Sequence, residues 1–188
     1  MSESPTEHFE HAEHAEHAAH SRDRFLAVVS VTIAVLAVAA ATVGSFETLE
    51  SGQAISDKNE SVLLQNKATD TWAFFQANSL KKNMFDIAAA TDPVRAGDYA
   101  AKARDYERQQ SDARKEAEAT ERDRDAALAA SNGHEHRHHV LTLGVTLIHV
   151  AIAIATVSII MRGRRWPWHV AMILGGIGIA VAGYAYLF

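Results

Sequence analysis

The chain contains no cysteine. That excludes disulfides, thiolate metal sites and cysteine nucleophiles. It also lacks any excess of basic residues: the net charge is −5 and the pI about 6.1. No basic surface is available for a nucleic-acid partner. No phosphate-binding glycine loop, G-x-S-x-G elbow or EF-hand loop is present. The one glycine cluster, Gly175-Gly176-Ile177-Gly178, lies inside an apolar run. The carboxylates of the middle segment are spread along a charged stretch instead of converging, so no acid–base pair can be named. These absences lead us to expect a protein that is not an enzyme and carries no resident cofactor.

The most informative absence is local. Three stretches have no Lys, Arg, Asp or Glu: Phe25–Phe46, Val140–Met161 and Trp168–Phe188. A bilayer core of about 30 Å needs roughly 20 helical residues at 1.5 Å each, and all three runs reach that length. Their apolar residues are offset by very polar sequence elsewhere, which leaves the mean hydropathy near zero. The last two runs are separated only by Arg162-Gly163-Arg164-Arg165-Trp166-Pro167, a loop that forces a helical hairpin and whose arginines favour the cytoplasmic side. Arg22 and Arg24 before the first run favour the same side. Glu47 and Glu50 flank the opposite end. The expected topology is therefore three spans, with the N-terminus cytoplasmic and both residues 47–139 and the C-terminus periplasmic. The first run is expected to be a retained span although Ala39 and Ala41 form an A-x-A pattern. It is longer than the about 7–15 apolar residues of a signal peptide, and an acidic segment precedes it.

The expected fold is all-α: three transmembrane helices, with an antiparallel, coiled-coil-like helical hairpin between the first and second. The segments are a disordered tail (1–24), span one (25–46), the extramembrane hairpin (47–139, with helices over about 56–90 and 93–130), span two (140–161), the Arg-rich loop (162–167) and span three (168–188). Gly44, Gly52, Glu47 and Glu50 read as a loosened exit from the first span. Thr91-Asp92-Pro93 reads as a break, with Asp92 as N-cap and Pro93 opening the next helix. Ser131-Asn132-Gly133 reads as that helix's stop.

Packing faces are read from 3–4 spacing. In the hairpin these are Ala77, Leu80, Met84 and Ile87 on the first helix, and Tyr99, Ala103, Tyr106, Gln110, Ala113, Ala117 and Thr120 on the second. Helices in lipid gain little by burying apolar groups against each other, so small or polar residues mark their contacts. The expected seams are Ser30, Ala34, Ala37, Ala41 and Gly44; Thr142, Thr146, His149, Ala153 and Thr156; and Ala171, Gly175, Gly178, Ala182 and Ala185. Trp72, Phe74 and Phe75 form the largest apolar cluster outside the spans. They are expected to pack on a second chain or the membrane surface; the alternative is cover from the hairpin's own tyrosines.

Histidine is unusually frequent, with 11 residues. His8, His11, His14, His17 and His20 alternate with glutamates at a period of three, which smears them around a helix. The tract reads either as weak Zn²⁺ or Ni²⁺ capture or as a solvated acidic tail. His134 and His138 stand at i, i+4, the spacing of two metal ligands on one helical face, or serve as a polar anchor. His149 reads either as an interhelical hydrogen-bond partner or as part of a proton or ion path.

The order of parts resembles a family of small bacterial membrane proteins catalogued only as a domain of unknown function. The most specific piece is Asp70-Thr71-Trp72-Ala73-Phe74-Phe75-Gln76-Ala77-Asn78-Ser79-Leu80-Lys81. The His/Glu-rich start, the charged helix and the Gly-rich last span match in composition. The resemblance implies an inner-membrane location and a helical middle, and no activity. The residues themselves favour a membrane scaffold that assembles as a homo-oligomer or with another membrane protein. The alternative is a metal-handling or ion- or proton-conducting protein that uses its histidines.

Overall fold

The computed structural model describes the backbone of residues 7–161 and 164–187, and the side chains of residues 24–161 and 164–187. The chain forms three helices: α1 (Glu7–Thr91), α2 (Ala96–Ile160) and α3 (Trp166–Tyr184). Each contains a segment long and apolar enough to cross a membrane. The two long helices pack together, and the chain divides into two compact units. One comprises the chain up to Glu50 and from His136 onward; the other is Ser51–Glu135. The N-terminal histidines His8, His11, His14, His17 and His20 have side chains outside the described residues.

The scarcity of proline explains the lengths of 85 and 65 residues for α1 and α2. Proline removes a helical hydrogen bond and clashes with the preceding turn. Pro93 stands in the turn between α1 and α2, and Pro167 opens α3, where its missing N–H is not needed. Asp92 caps the turn as expected. Its Oδ1 accepts from the Val94 and Arg95 N–H groups at 3.1 and 3.3 Å, and its Oδ2 from Arg95 Nε at 3.0 Å. The helix proper begins at Ala96, after the turn, and not at Pro93.

Two expected interruptions do not occur. α2 continues through Ser131-Asn132-Gly133, and α1 through Gly44 and Gly52. None of these glycines adopts a positive φ. A mid-helix glycine costs only about 1 kcal/mol, which packing on either side outweighs. Ser131 Oγ donates to the Ala54 carbonyl at 2.8 Å, so the supposed stop is a contact with α1. Glu47 and Glu50 likewise tie α1 to α2. Glu47 accepts from Thr142 Oγ1 at 3.0 Å, and Glu50 pairs with Arg137 at 2.9 Å.

In the unit holding the chain ends, α3 presents the small face. Ala171, Gly175, Gly178, Ala182 and Ala185 are all buried, as their spacing predicts. A Cβ at Gly178 would meet the Gly144 carbonyl at 2.9 Å and Ile148 Cγ1 at 2.8 Å; one at Gly175 would meet Leu36 Cδ2 at 2.6 Å. Backbone therefore approaches backbone between α2 and α3. Leu36, Ala40, Ile148 and Ala151 form one buried cluster, and Leu141, Ala182 and Ala185 another. The expected small seam on α1 and polar seam on α2 do not face this core: Ser30, Ala34, Ala37, Ala41, Thr142, Thr146, His149, Ala153 and Thr156 are exposed. Each lies one residue, or 100°, past a buried or half-buried position: Val29, Ile33, Leu36 and Ala40 on α1, and Leu141, Val145, Ile148, Ile152 and Ala155 on α2. One small face suffices at each contact, because Leu36 and Ile148 fill the space that glycine leaves on α3.

In the other unit, α1 and α2 meet along a seam of small and polar residues. Ser61, Ala68, Asn78, Ala103, Ala113, Ala117, Thr120 and Ser131 are buried there. The α2 side is the expected one, from Ala103 through Thr120. The α1 side is not: Leu80, Met84 and Ile87 are 66, 69 and 68% exposed, and Phe75, Asn78, Lys82 and Phe85 turn inward in their place. Phe85 stacks on Tyr106 and lies within 6.1 Å of Tyr99. Those tyrosines thus cover Phe85 and not the Trp72 cluster.

Candidate functional site

On α1 of the second unit, the exposed residues Ala77, Leu80, Met84 and Ile87 repeat at 3 and 4. Each follows an inward residue by two positions: Phe75, Asn78, Lys82 and Phe85. Two residues turn the helix by 200°, so this second apolar stripe occupies the side of α1 away from α2. Ala73 and Phe74 extend it toward the chain start, both exposed. The inward stripe is the more polar of the two. Asn78 is fully buried, and neither its Oδ1 nor its Nδ2 has a hydrogen-bond partner among the described residues. Lys82 Nζ bonds Asp86 Oδ2 at 2.9 Å, a hydrogen bond and charge that hold its pKa above the ordinary lysine value. Contiguous exposed apolar surface beside such a seam is what marks an interaction face.

The Trp72 cluster divides between the two sides. Trp72 and Phe75 are half-buried, their rings 5.3 Å apart and nearly perpendicular. Trp72 Nε1 donates to Glu121 Oε1 on α2 at 2.9 Å, a partner that counting only apolar residues on the opposing helix overlooks. Phe74 is 51% exposed and belongs to the outward stripe.

His134 Nε2 lies 3.8 Å from Asp57, and His138 Nδ1 3.3 Å from Glu47. The two belong to different units, each with its own α1 carboxylate. His134-Glu135-His136-Arg137-His138 also has the order H-E-x-x-H, a zinc-peptidase pattern that an i, i+4 reading of two histidines passes over. Among the described residues, no group of three or more His, Asp or Glu side chains is placed to hold a metal ion.

On the outward face of α2, the threonines answer their own hydrogen-bonding needs. Thr146 and Thr156 each donate to the carbonyl four residues back, at 2.7 and 2.9 Å, whereas the Thr142 hydroxyl has two acceptors in reach, the His138 carbonyl and Glu47. His149 is exposed on the same face.

No curated protein and no solved structure matches the chain. The model of one family matches residues 25–188, nearly the whole chain and all three helices downstream of the histidine tract. By that match the chain belongs to the family described as Domain of unknown function (DUF4337).

Proposed function

We propose that this protein is a non-enzymatic integral membrane scaffold of the bacterial inner membrane, which assembles with copies of itself through helix–helix contacts. The observation that carries this reading is the outward stripe of Ala77, Leu80, Met84 and Ile87. A helix with one face engaged by α2 and a second heptad-spaced apolar face in water is built for a further helix. Fully burying a Leu, Met or Ile side chain is worth on the order of 1.5–3 kcal/mol, so three largely exposed ones supply a strong drive to associate. The arginines before α3 and at the start of the first span support a cytoplasmic N-terminus and loop, with the hairpin and C-terminus on the periplasmic side.

The absence of cysteine makes the test direct. Single Leu80→Cys and Ile87→Cys variants carry one thiol each. In native membranes both should form intermolecular crosslinks, while a cysteine at Arg104, exposed on α2, should not. A strict monomer with no crosslink and no copurifying partner would overturn the scaffold reading.

A metal-handling role remains the second reading, favoured by the H-E-x-x-H order at His134–His138. The separate carboxylate partners of those histidines weigh against it, and zinc calorimetry discriminates between the two.

A further inference from the structure

Between α1 and α3, within the unit that holds the chain ends, lies an apolar groove of about 530 Å³. Val28, Val31 and Val35 wall it on α1, and Met172 and Ile179 on α3; Gly176 opens its floor. No atom of the described residues lies within 4 Å of where a Gly176 Cβ would stand. Thr32, the only polar side chain in the lining, is already engaged: its hydroxyl donates to the Val28 carbonyl at 2.9 Å and accepts from Trp168 Nε1 at 3.1 Å. The groove therefore asks its occupant for no hydrogen bond.

Its extent and its head end identify that occupant. From Ala27 to Leu36 the groove follows ten residues of α1, whose nine rises of 1.5 Å span about 13 Å. That is close to half of a hydrocarbon core of about 30 Å, the depth of one leaflet. A second transmembrane helix would need the full depth. At the head end, the Arg165 guanidinium lies 5.4 Å from the centre of the Phe25 ring, whose edge packs on Trp168 at 6.3 Å. Arg24 and Arg164 are exposed beside it in sequence, and the N-terminus of α3 has no side-chain cap. No Asp or Glu occurs in residues 24–46 or 164–187. Guanidinium groups gathered beside the start of a helix form a site for a phosphate.

We infer that this groove binds one anionic phospholipid, its acyl chain along Val31, Val35 and Gly176 and its phosphate at Arg24 and Arg165. Gly176 keeps the floor open, and the arginines select the headgroup charge.

The experiment uses the full chain, delipidated in detergent and supplied with phosphatidylglycerol or phosphatidylcholine of identical acyl chains, read by native mass spectrometry. Phosphatidylglycerol should be retained over phosphatidylcholine by about fivefold per arginine engaged. Arg24→Gln/Arg165→Gln should remove that preference, lowering phosphatidylglycerol retention more than phosphatidylcholine retention, since both lipids present a phosphate and only one is anionic overall. Gly176→Leu should lower retention of both lipids, and Gly176→Ala should lower it less. In the unmodified chain, phosphatidylglycerol with a photoreactive acyl chain should crosslink to residues 27–36 and 172–179. Crosslinks spread evenly over the three apolar segments would overturn the site even if the Gly176 variants misfold. So would equal retention of the two lipids. A Gly176→Leu variant that changes oligomeric state at unchanged lipid retention would make the groove a protein contact and refute the lipid assignment.

Discussion

The ring of Phe85 lies face to face with that of Tyr106, centroids 5.6 Å apart and planes 8° from parallel. Lys102 reaches over the Phe85 ring and Lys81 over the Tyr106 ring, each at 5.3 Å. This aromatic stack near the Asp92 turn stands in a seam of mostly small residues. Phe85→Ala should destabilise the hairpin by roughly 2 kcal/mol, below the range for a fully buried phenylalanine because Phe85 is half-buried. Hydrogen exchange over residues 75–110 should rise in the variant. Unchanged protection would show that the stack contributes little.

Asn78 should behave in the opposite sense. A buried amide with no partner carries its full desolvation penalty, about 1–3 kcal/mol. Asn78→Leu keeps the branching and heavy-atom count of the side chain and removes that penalty, so the hairpin should resist proteolysis for longer than in the parent chain. Asn78→Asp should shorten the lifetime. A destabilised leucine variant would mean that the amide is answered in the assembled protein.

Glu50 and Arg137 form a pair whose carboxylate side chain is 10% exposed. Breaking a fully buried pair costs about 3–5 kcal/mol, and breaking this one should cost less because Tyr186 also hydrogen-bonds Glu50. Arg137→Met should therefore lower the thermal midpoint in detergent. The double variant Glu50→Leu/Arg137→Met should recover most of the loss. Additive losses would show that each residue acts through other contacts.

Glycines on the two sides of the same helices should respond differently. Gly133 has no atom of the described residues within 4 Å of a would-be Cβ and a right-handed backbone, so Gly133→Ala should stabilise α2 by about 0.5–1 kcal/mol. Gly178→Ala places a methyl 2.9 Å from the Gly144 carbonyl and should loosen α2 from α3. Thermal midpoints of the two variants should move in opposite directions.

His134 and His138 each face a separate carboxylate. Zinc titrated into the full chain should give the same isotherm before and after His134→Ala/His138→Ala. A tight binding event lost in the double variant would reinstate the H-E-x-x-H segment as a metal site.

The pattern of the spans and of the turn was legible from sequence because each depends on local physics: absence of charge over about 20 residues, and proline beside an aspartate cap. The α3 face was legible for the same reason, since only small residues allow backbone to approach backbone. The inward face of α1 was not. α1 carries two stripes of identical 3–4 spacing, and periodicity selects Leu80, Met84 and Ile87 as the more apolar. What turns Phe85 and Trp72 inward is specific to their partners: the rings of Tyr99 and Tyr106, and Glu121. No hydropathy pattern encodes a ring stack or an indole-to-carboxylate bond. Ser131-Asn132-Gly133 misleads similarly, because a stop signal is a local preference, and the Ser131 contact to Ala54 is tertiary.

The hydroxyls along the apolar segments have one further consequence. On α1, Thr32, Thr42 and Ser45 donate to carbonyls one turn back at 2.9 Å, as do Thr146 and Thr156 on α2 at 2.7 and 2.9 Å. A hydroxyl bound within its own helix needs no neighbour to make it tolerable in hydrocarbon. On the membrane reading proposed above, each of these helices can leave the insertion machinery alone and wait in the bilayer for its partners. Biosynthesis then separates into two stages, insertion helix by helix and lateral docking afterwards, with the glycine face of α3 as the template on which the two earlier helices settle.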